Sequence, residues 1–136
     1  MVAYPLRALA GLDDDTEAAL RTAKIRTTVT LLERAKDAKG RKKLAVETGL
    51  DEKLLLALAN SADRLRIKGM GKDYSELLQV AGVNTVRELG YRNPARLAKA
   101  MADANKKRKL VRLLPSDNLV NRWIENAKKL PTKITY

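Results

Sequence analysis

Two stretches of the chain lie over each other without a gap. "LAGLDDDTEAALRTAKIRTTVTLL" (9–32) matches "IKGMGKDYSELLQVAGVNTVRELG" (67–90) at an offset of 58. Gly11 falls on Gly69, Asp15 on Asp73, Leu20 on Leu78, Ile25 on Val83, Thr27 on Thr85 and Leu31 on Leu89. A second pair, "RKKLAVETGLDEKLLLALANSA" (41–62) and "KRKLVRLLPSDNLVNRWIENAK" (107–128), matches at an offset of 66. There Leu44 meets Leu110, Asp51 meets Asp117 and Leu58 meets Ile124. Self-similarity at a fixed spacing restricts a chain to copies of one supersecondary unit that bury their apolar faces together. The sequence therefore predicts a tandem duplication with units of about 9–66 and 67–130, so that residues 1–66 form a first unit and 67–136 a second. The extra residues of the second are expected around "RNPARLAKAM".

The units read as all-α. Asp13, Asp14, Asp15 and Thr16 precede "EAALRTA", with acid in the first turn of a helix. Thr27 or Thr28 caps "VTLLERAKDA", and Gly40 is expected to end it. Asp51 opens "EKLLLALANSADRL", with Leu54, Leu55, Leu58, Ala62 and Leu65 on one face. In the second unit Asp73 is expected to start "YSELLQVA", closed by Gly82, and Thr85 to start "VRELG". Asn93 with Pro94 opens "PARLAKAMADA". Ser116 or Asp117 opens a last helix stopped by Pro131. That makes roughly eight short helices with tight connections. The tail "PTKITY" is apolar enough to dock onto the body.

Composition removes whole classes of chemistry. With no Cys and no His, thiolate and imidazole metal sites and Ser-His or Cys-His catalysis are excluded. The absence of disulfides fits a cytoplasmic location, and the opening residues lack the pattern of a signal peptide. No apolar run is long enough to span a bilayer. The formal net charge is +12, and such a field attracts polyanions. It is uneven: residues 1–66 carry 13 Lys/Arg against 10 Asp/Glu, and residues 67–136 carry 15 against 6.

The basic half opens on "IKGMGKDYSELL" (67–78). Ile67, Gly69, Met70, Gly71, Ser75 and Leu78 fill, in order, the apolar-x-Gly-apolar-Gly pattern of the helix-hairpin-helix family, which this stretch resembles. The resemblance implies sequence-nonspecific DNA binding. Backbone amides of the hairpin and of the next helix start would contact phosphates, with a monovalent cation at the 67–71 hairpin carbonyls as a possible aid. The physical reason stands beside it. Glycine permits positive φ and close approach, and a helix N-terminus offers unpaired N–H donors. Lys68 and Lys72 add point charges, and Tyr74 lies alongside. The first copy departs from the pattern: Asp13 stands where Gly71 would be, with Asp14 and Asp15 after it. Three carboxylates repel a phosphate. "ETGLDEK" and "RLLPSDN" are weaker hairpin-like points. Across nearly the whole chain the layout resembles a bacterial domain-of-unknown-function family of tandem helix-hairpin-helix proteins, with no assigned activity.

Two further basic clusters are candidates. Lys106, Lys107, Arg108, Lys109 and Arg112 form the denser one, and Arg41, Lys42 and Lys43, next to Lys39, form its expected partner at the same point of the repeat. A Lys/Arg run is otherwise a solvated face. Trp123, with Val120, Ile124 and Ala127 at helical spacing, reads as core rather than a base-stacking platform. The Asp13–Asp15 triplet reads as helix capping rather than a cation site. The expectation is a non-enzymatic module that binds nucleic acid, with double-stranded DNA as its expected form, through Lys68–Lys72, Tyr74 and these clusters. A protein-interaction adaptor is the alternative. An abasic-site lyase using Lys68 or Lys72 is the third reading; it requires a desolvated amine.

Overall fold

The computed structural model describes residues 3–136, and among them the chain is all-helical. After a short 3-10 turn at Leu6–Ala8 come α1 (Asp14–Thr22), α2 (Thr28–Ala35), α3 (Ala38–Thr48) and α4 (Glu52–Arg64). The second half holds α5 (Lys72–Val80), α6 (Val86–Gly90), α7 (Pro94–Arg108) and α8 (Asp117–Lys129).

The caps explain the boundaries. Asp13, Thr27, Asp37, Asp51, Thr85, Asn93 and Ser116 each accept a hydrogen bond from an amide of the first turn, which satisfies donors that the helix leaves over. Thr85 and Glu88 form a full capping box. Gly40 does not end a helix. α2 stops at Ala35 and Asp37 opens α3, with Gly40 in its first turn. A Cβ there would lie 2.3 Å from the Arg34 carbonyl oxygen, so the glycine serves a close approach and not a stop.

Left-handed positions recur between the two halves at the spacing of the first sequence match. Gly11 (φ 78°) and Gly69 (φ 80°) share the left-handed region, as do Lys24 (φ 65°) and Gly82 (φ 100°), both at the offset of 58. α2 packs on α3 and α4, and α3 on α4 and α1. α6 packs on α8, and α7 on α8 and α5. Beyond the first block the register differs from the sequence expectation. The left-handed C-caps Gly49 and Lys109 lie 60 apart. The caps Asp51 and Ser116 lie 65 apart, and so do the buried pairs Leu55/Val120, Leu58/Trp123, Ala59/Ile124 and Ala62/Ala127. Most of the added length is therefore not in "RNPARLAKAM". It is in the connection from α7 to α8, where Lys109–Ser116 has eight residues against three in Gly49–Asp51.

One core runs through both halves, from Leu6, Leu20, Leu31 and Leu58 to Leu78, Leu89, Met101 and Trp123. Trp123 is fully buried and meets the Tyr74 ring at 5.3 Å between centroids, tilted by 60°, a favourable aromatic geometry. The junction of the halves is polar. Arg64, 1% exposed, donates to the Ser75 hydroxyl (3.0 Å) and the Asn84 carbonyl (3.0 Å). Burial pulls its pKa down to about 10, which leaves it charged at neutral pH. Beside it Asp63 accepts from Arg66 (2.9 Å) and from the Val86 amide at the start of α6 (2.8 Å).

The tail docks, as its composition predicts. Ile134 is buried, the Thr135 amide donates to the Lys36 carbonyl (2.8 Å), and Lys133 pairs with Glu33. Arg41 holds it from below, donating to the carbonyls of Ala35 (2.9 Å) and Thr135 (2.7 Å). Arg41 is only 5% exposed, so it is a structural clamp and not a surface cation.

Candidate functional site

The site is built on the corner between α4 and α5. Ile67 and Met70 point their side chains into the core, and Lys68, Gly69, Gly71, Lys72 and Asp73 stay exposed. That alternation is what the apolar-x-Gly-apolar-Gly spacing encodes. The helix starts at Lys72, with its N-cap at Gly71, two residues earlier than the Asp73 cap expected from sequence. Gly71 has no side chain to cap with, so α5 is the one α-helix of the described residues without a side-chain N-cap. The amides of Lys72, Asp73 and Tyr74 have no partner among the described residues; the first intrahelical bond belongs to Ser75 (2.9 Å to the Gly71 carbonyl). Space in front of the corner is open: a Cβ at Gly69 or Gly71 would meet nothing within 4 Å. Exposed free N–H donors at a helix start attract an anion.

The long α7–α8 connection faces this corner across a groove of about 920 Å³. Gly71, Lys72, Asp73 and Tyr74 line one side, and Asn105, Lys109, Arg112 and Leu113 line the other. The connection is held. The Asn105 side chain accepts from the Val111 amide and donates to the Val111 carbonyl, both at 3.0 Å. Tyr74 donates its hydroxyl proton to the Leu113 carbonyl (3.1 Å). Lys109 sits in the left-handed region at φ 51°, a conformation that costs a non-glycine residue about 1–2 kcal/mol.

The sequence-predicted residues divide as follows. Lys72, Gly71, Lys109 and Arg112 come together at the groove. Lys68 and Gly69 are exposed on the corner, and Lys106 and Lys107 on the last turn of α7, outside the groove lining. Arg108 is partly neutralised by Glu76 at 3.5 Å, an exposed pair of small energetic weight. Met70 offers a phosphate neither its side chain, which is buried, nor its amide, which already donates to the Ile67 carbonyl (3.2 Å). Tyr74 is a fastener of the connection, with its proton committed, and not a free phosphate donor. Lys42 and Lys43 are exposed, but on the first half of α3. The matched C-caps put them opposite Ala102 and Asp103, so the two basic clusters do not occupy the same point of the repeat. Asn105 and Arg64 carry no local sequence signal, since their partners lie in other elements or across a loop, whereas Asp63 and Arg66 pair at the local i,i+3 spacing.

The acidic corner keeps to itself. The Asp13 carboxylate accepts the Thr16 amide at 2.7 Å, and this bond holds it below its ordinary pKa. Among the described residues no group of three Asp or Glu side chains gathers for a metal ion, and no helix is long and apolar enough to cross a membrane. A family described as "Domain of unknown function (DUF4332)" matches residues 10–130. The chain belongs to that family. The DUF4332 match spans both corners, the groove and all eight α-helices, and leaves out only the tail and the first residues. Neither a curated protein nor a solved structure matches the chain.

Proposed function

We propose that the chain binds nucleic acid without regard to sequence, with a phosphate at the Gly71–Tyr74 amides. The observation that carries this reading is the pairing of an uncapped helix start with two cations of a fastened loop across one open groove. A phosphate oxygen accepts from the free amides, while Lys72, Lys109 and Arg112 neutralise the strand on either side. Exposed Lys68, Lys106 and Lys107 supply longer-range attraction. The helix-hairpin-helix resemblance of Ile67–Leu78 agrees with this arrangement, and supports double-stranded DNA as the form bound. The monovalent cation that resemblance implies has acceptors here: the carbonyls of Lys68, Gly69 and Met70 accept no hydrogen bond among the described residues. When bound, the cation would add positive charge behind the phosphate.

The reading is non-enzymatic. Lys68 and Lys72 stand in solvent, so nothing desolvates an amine for attack on an abasic sugar. The adaptor reading draws on exposed Leu113 and Leu114 at the groove edge, and predicts weak DNA binding beside a specific protein partner. Fluorescence anisotropy of a labelled duplex across a salt series separates the two. Neutralisation of about four to six phosphates gives a log–log slope of roughly −4 to −5. Salt-independent binding, or none, removes the proposal.

A further inference from the structure

Leu113 is 78% exposed and its neighbour Leu114 41% exposed. Exposed leucines are common singly, but this one lines a basic groove and is not free to fold away. Its carbonyl is held by Tyr74 and the chain two residues earlier by Asn105. The connection that presents it has eight residues, against three at the corresponding point of the first half. It is found only on the half whose helix start is uncapped. Lys109 and Arg112 flank the leucine and favour a polyanion over an apolar protein surface.

An intact duplex offers such a side chain little, because its base faces are stacked on each other. Where a base is unpaired, its face is an apolar surface, and a wedge-like side chain beside a phosphate contact gains by covering it. The backbone that carries it is already held, so the loop gives up little conformational freedom in doing so. From this juxtaposition we infer that Leu113 covers an unstacked base, so that the groove prefers nucleic acid with an unpaired step over intact duplex. The inference rests on the phosphate-binding reading above and names the substrate class of that same groove.

The test is anisotropy at fixed salt with the full chain and two probes: a short duplex, and the same duplex with a central unpaired bulge. The unaltered chain is expected to bind the bulged probe about five- to tenfold more tightly. Leu113→Ser should erase that ratio with the fold intact, since an exposed side chain away from the core contributes little to stability. Arg112→Ala should weaken both probes by the same factor. Equal affinity of the unaltered chain for the two probes overturns the inference and leaves the phosphate reading standing. A ratio that survives Leu113→Ser also overturns it. So does a free chain that self-associates through Leu113, seen as a dimer that Leu113→Ser dissolves with the probe ratio unmoved. Salt-insensitive behaviour or no binding with either probe overturns both readings at once.

Discussion

The two corners, Gly11–Asp13 and Gly69–Gly71, share a backbone and differ in the residue that caps the next helix. Their first glycines have φ of 78° and 80°, and their N-caps have φ/ψ of −99°/171° and −100°/174°. In the first, the Asp13 carboxylate turns inward onto the Thr16 amide. In the second, Gly71 leaves the equivalent amide to solvent. A single side chain thus decides whether the same turn satisfies itself or waits for an anion. The corners are also neighbours: Lys72 borders a smaller cleft with Asp13, Asp14 and Glu17. On the proposed reading, the acidic corner would repel a phosphate strand from one side and leave the groove as its path.

The sharpest way to break the comparison is to make the second corner like the first. Gly71→Asp has room, since φ is negative and nothing lies within 4 Å of the new Cβ. Combined with Lys72→Glu, it should lower duplex affinity by about 100-fold, through a filled cap and a reversed charge. Gly71→Asp alone should raise folding stability by a few tenths of a kcal/mol, because aspartate caps slightly better than glycine. Anisotropy and a urea melt of the same sample read both signs, and unchanged affinity in the double variant would sink the phosphate reading.

A second comparison sets Arg41 against Lys107. Arg41→Ala removes a buried cation with two carbonyl partners and should cost about 2–3 kcal/mol of stability, leaving the salt slope of binding alone. Lys107→Ala should do the reverse, with no measurable change in melting but a slope shallower by at most about 1. Equal effects on binding would restore the two basic clusters to equivalence.

The smallest expected effect concerns the left-handed caps, glycine at 49 and lysine at 109. Lys109→Gly relieves a left-handed lysine and should gain about 1 kcal/mol in a thermal or urea melt. The same change should weaken duplex binding by about threefold, through one lost phosphate charge. A variant that gains stability and keeps its affinity would show that Lys109 faces the groove to no purpose.

Much of this was legible in the chain itself. The caps Thr27, Asp51, Thr85 and Asn93, the helical class, the burial of Trp123 and the corner at Gly69–Gly71 all follow from local chemistry. Register in the last helix was not. Leucines on adjacent faces of α4 make offsets of 65 and 66 nearly equal as letters, and only burial separates them. Gly40 reads as a breaker because the close approach of the Arg34 carbonyl is invisible in one dimension. The role of Arg41 depends on Thr135, 94 residues away, and no local pattern encodes such a partner. Asn105 and Tyr74 acquire their tasks only once a loop of unusual length has been folded back against them.

Both terminal segments of the described residues close on the first half, the less basic of the two. The Thr28 amide is bonded to the Tyr4 carbonyl at one end, and Lys36 and Arg41 hold Thr135 at the other. The basic half is thus anchored fore and aft, by α4 where it begins and by the tail where it finishes. Its groove cannot swing as an independent arm on a tether. On the proposed reading, a ligand of that groove meets the whole molecule at one fixed attitude, and the first half sets the angle of approach.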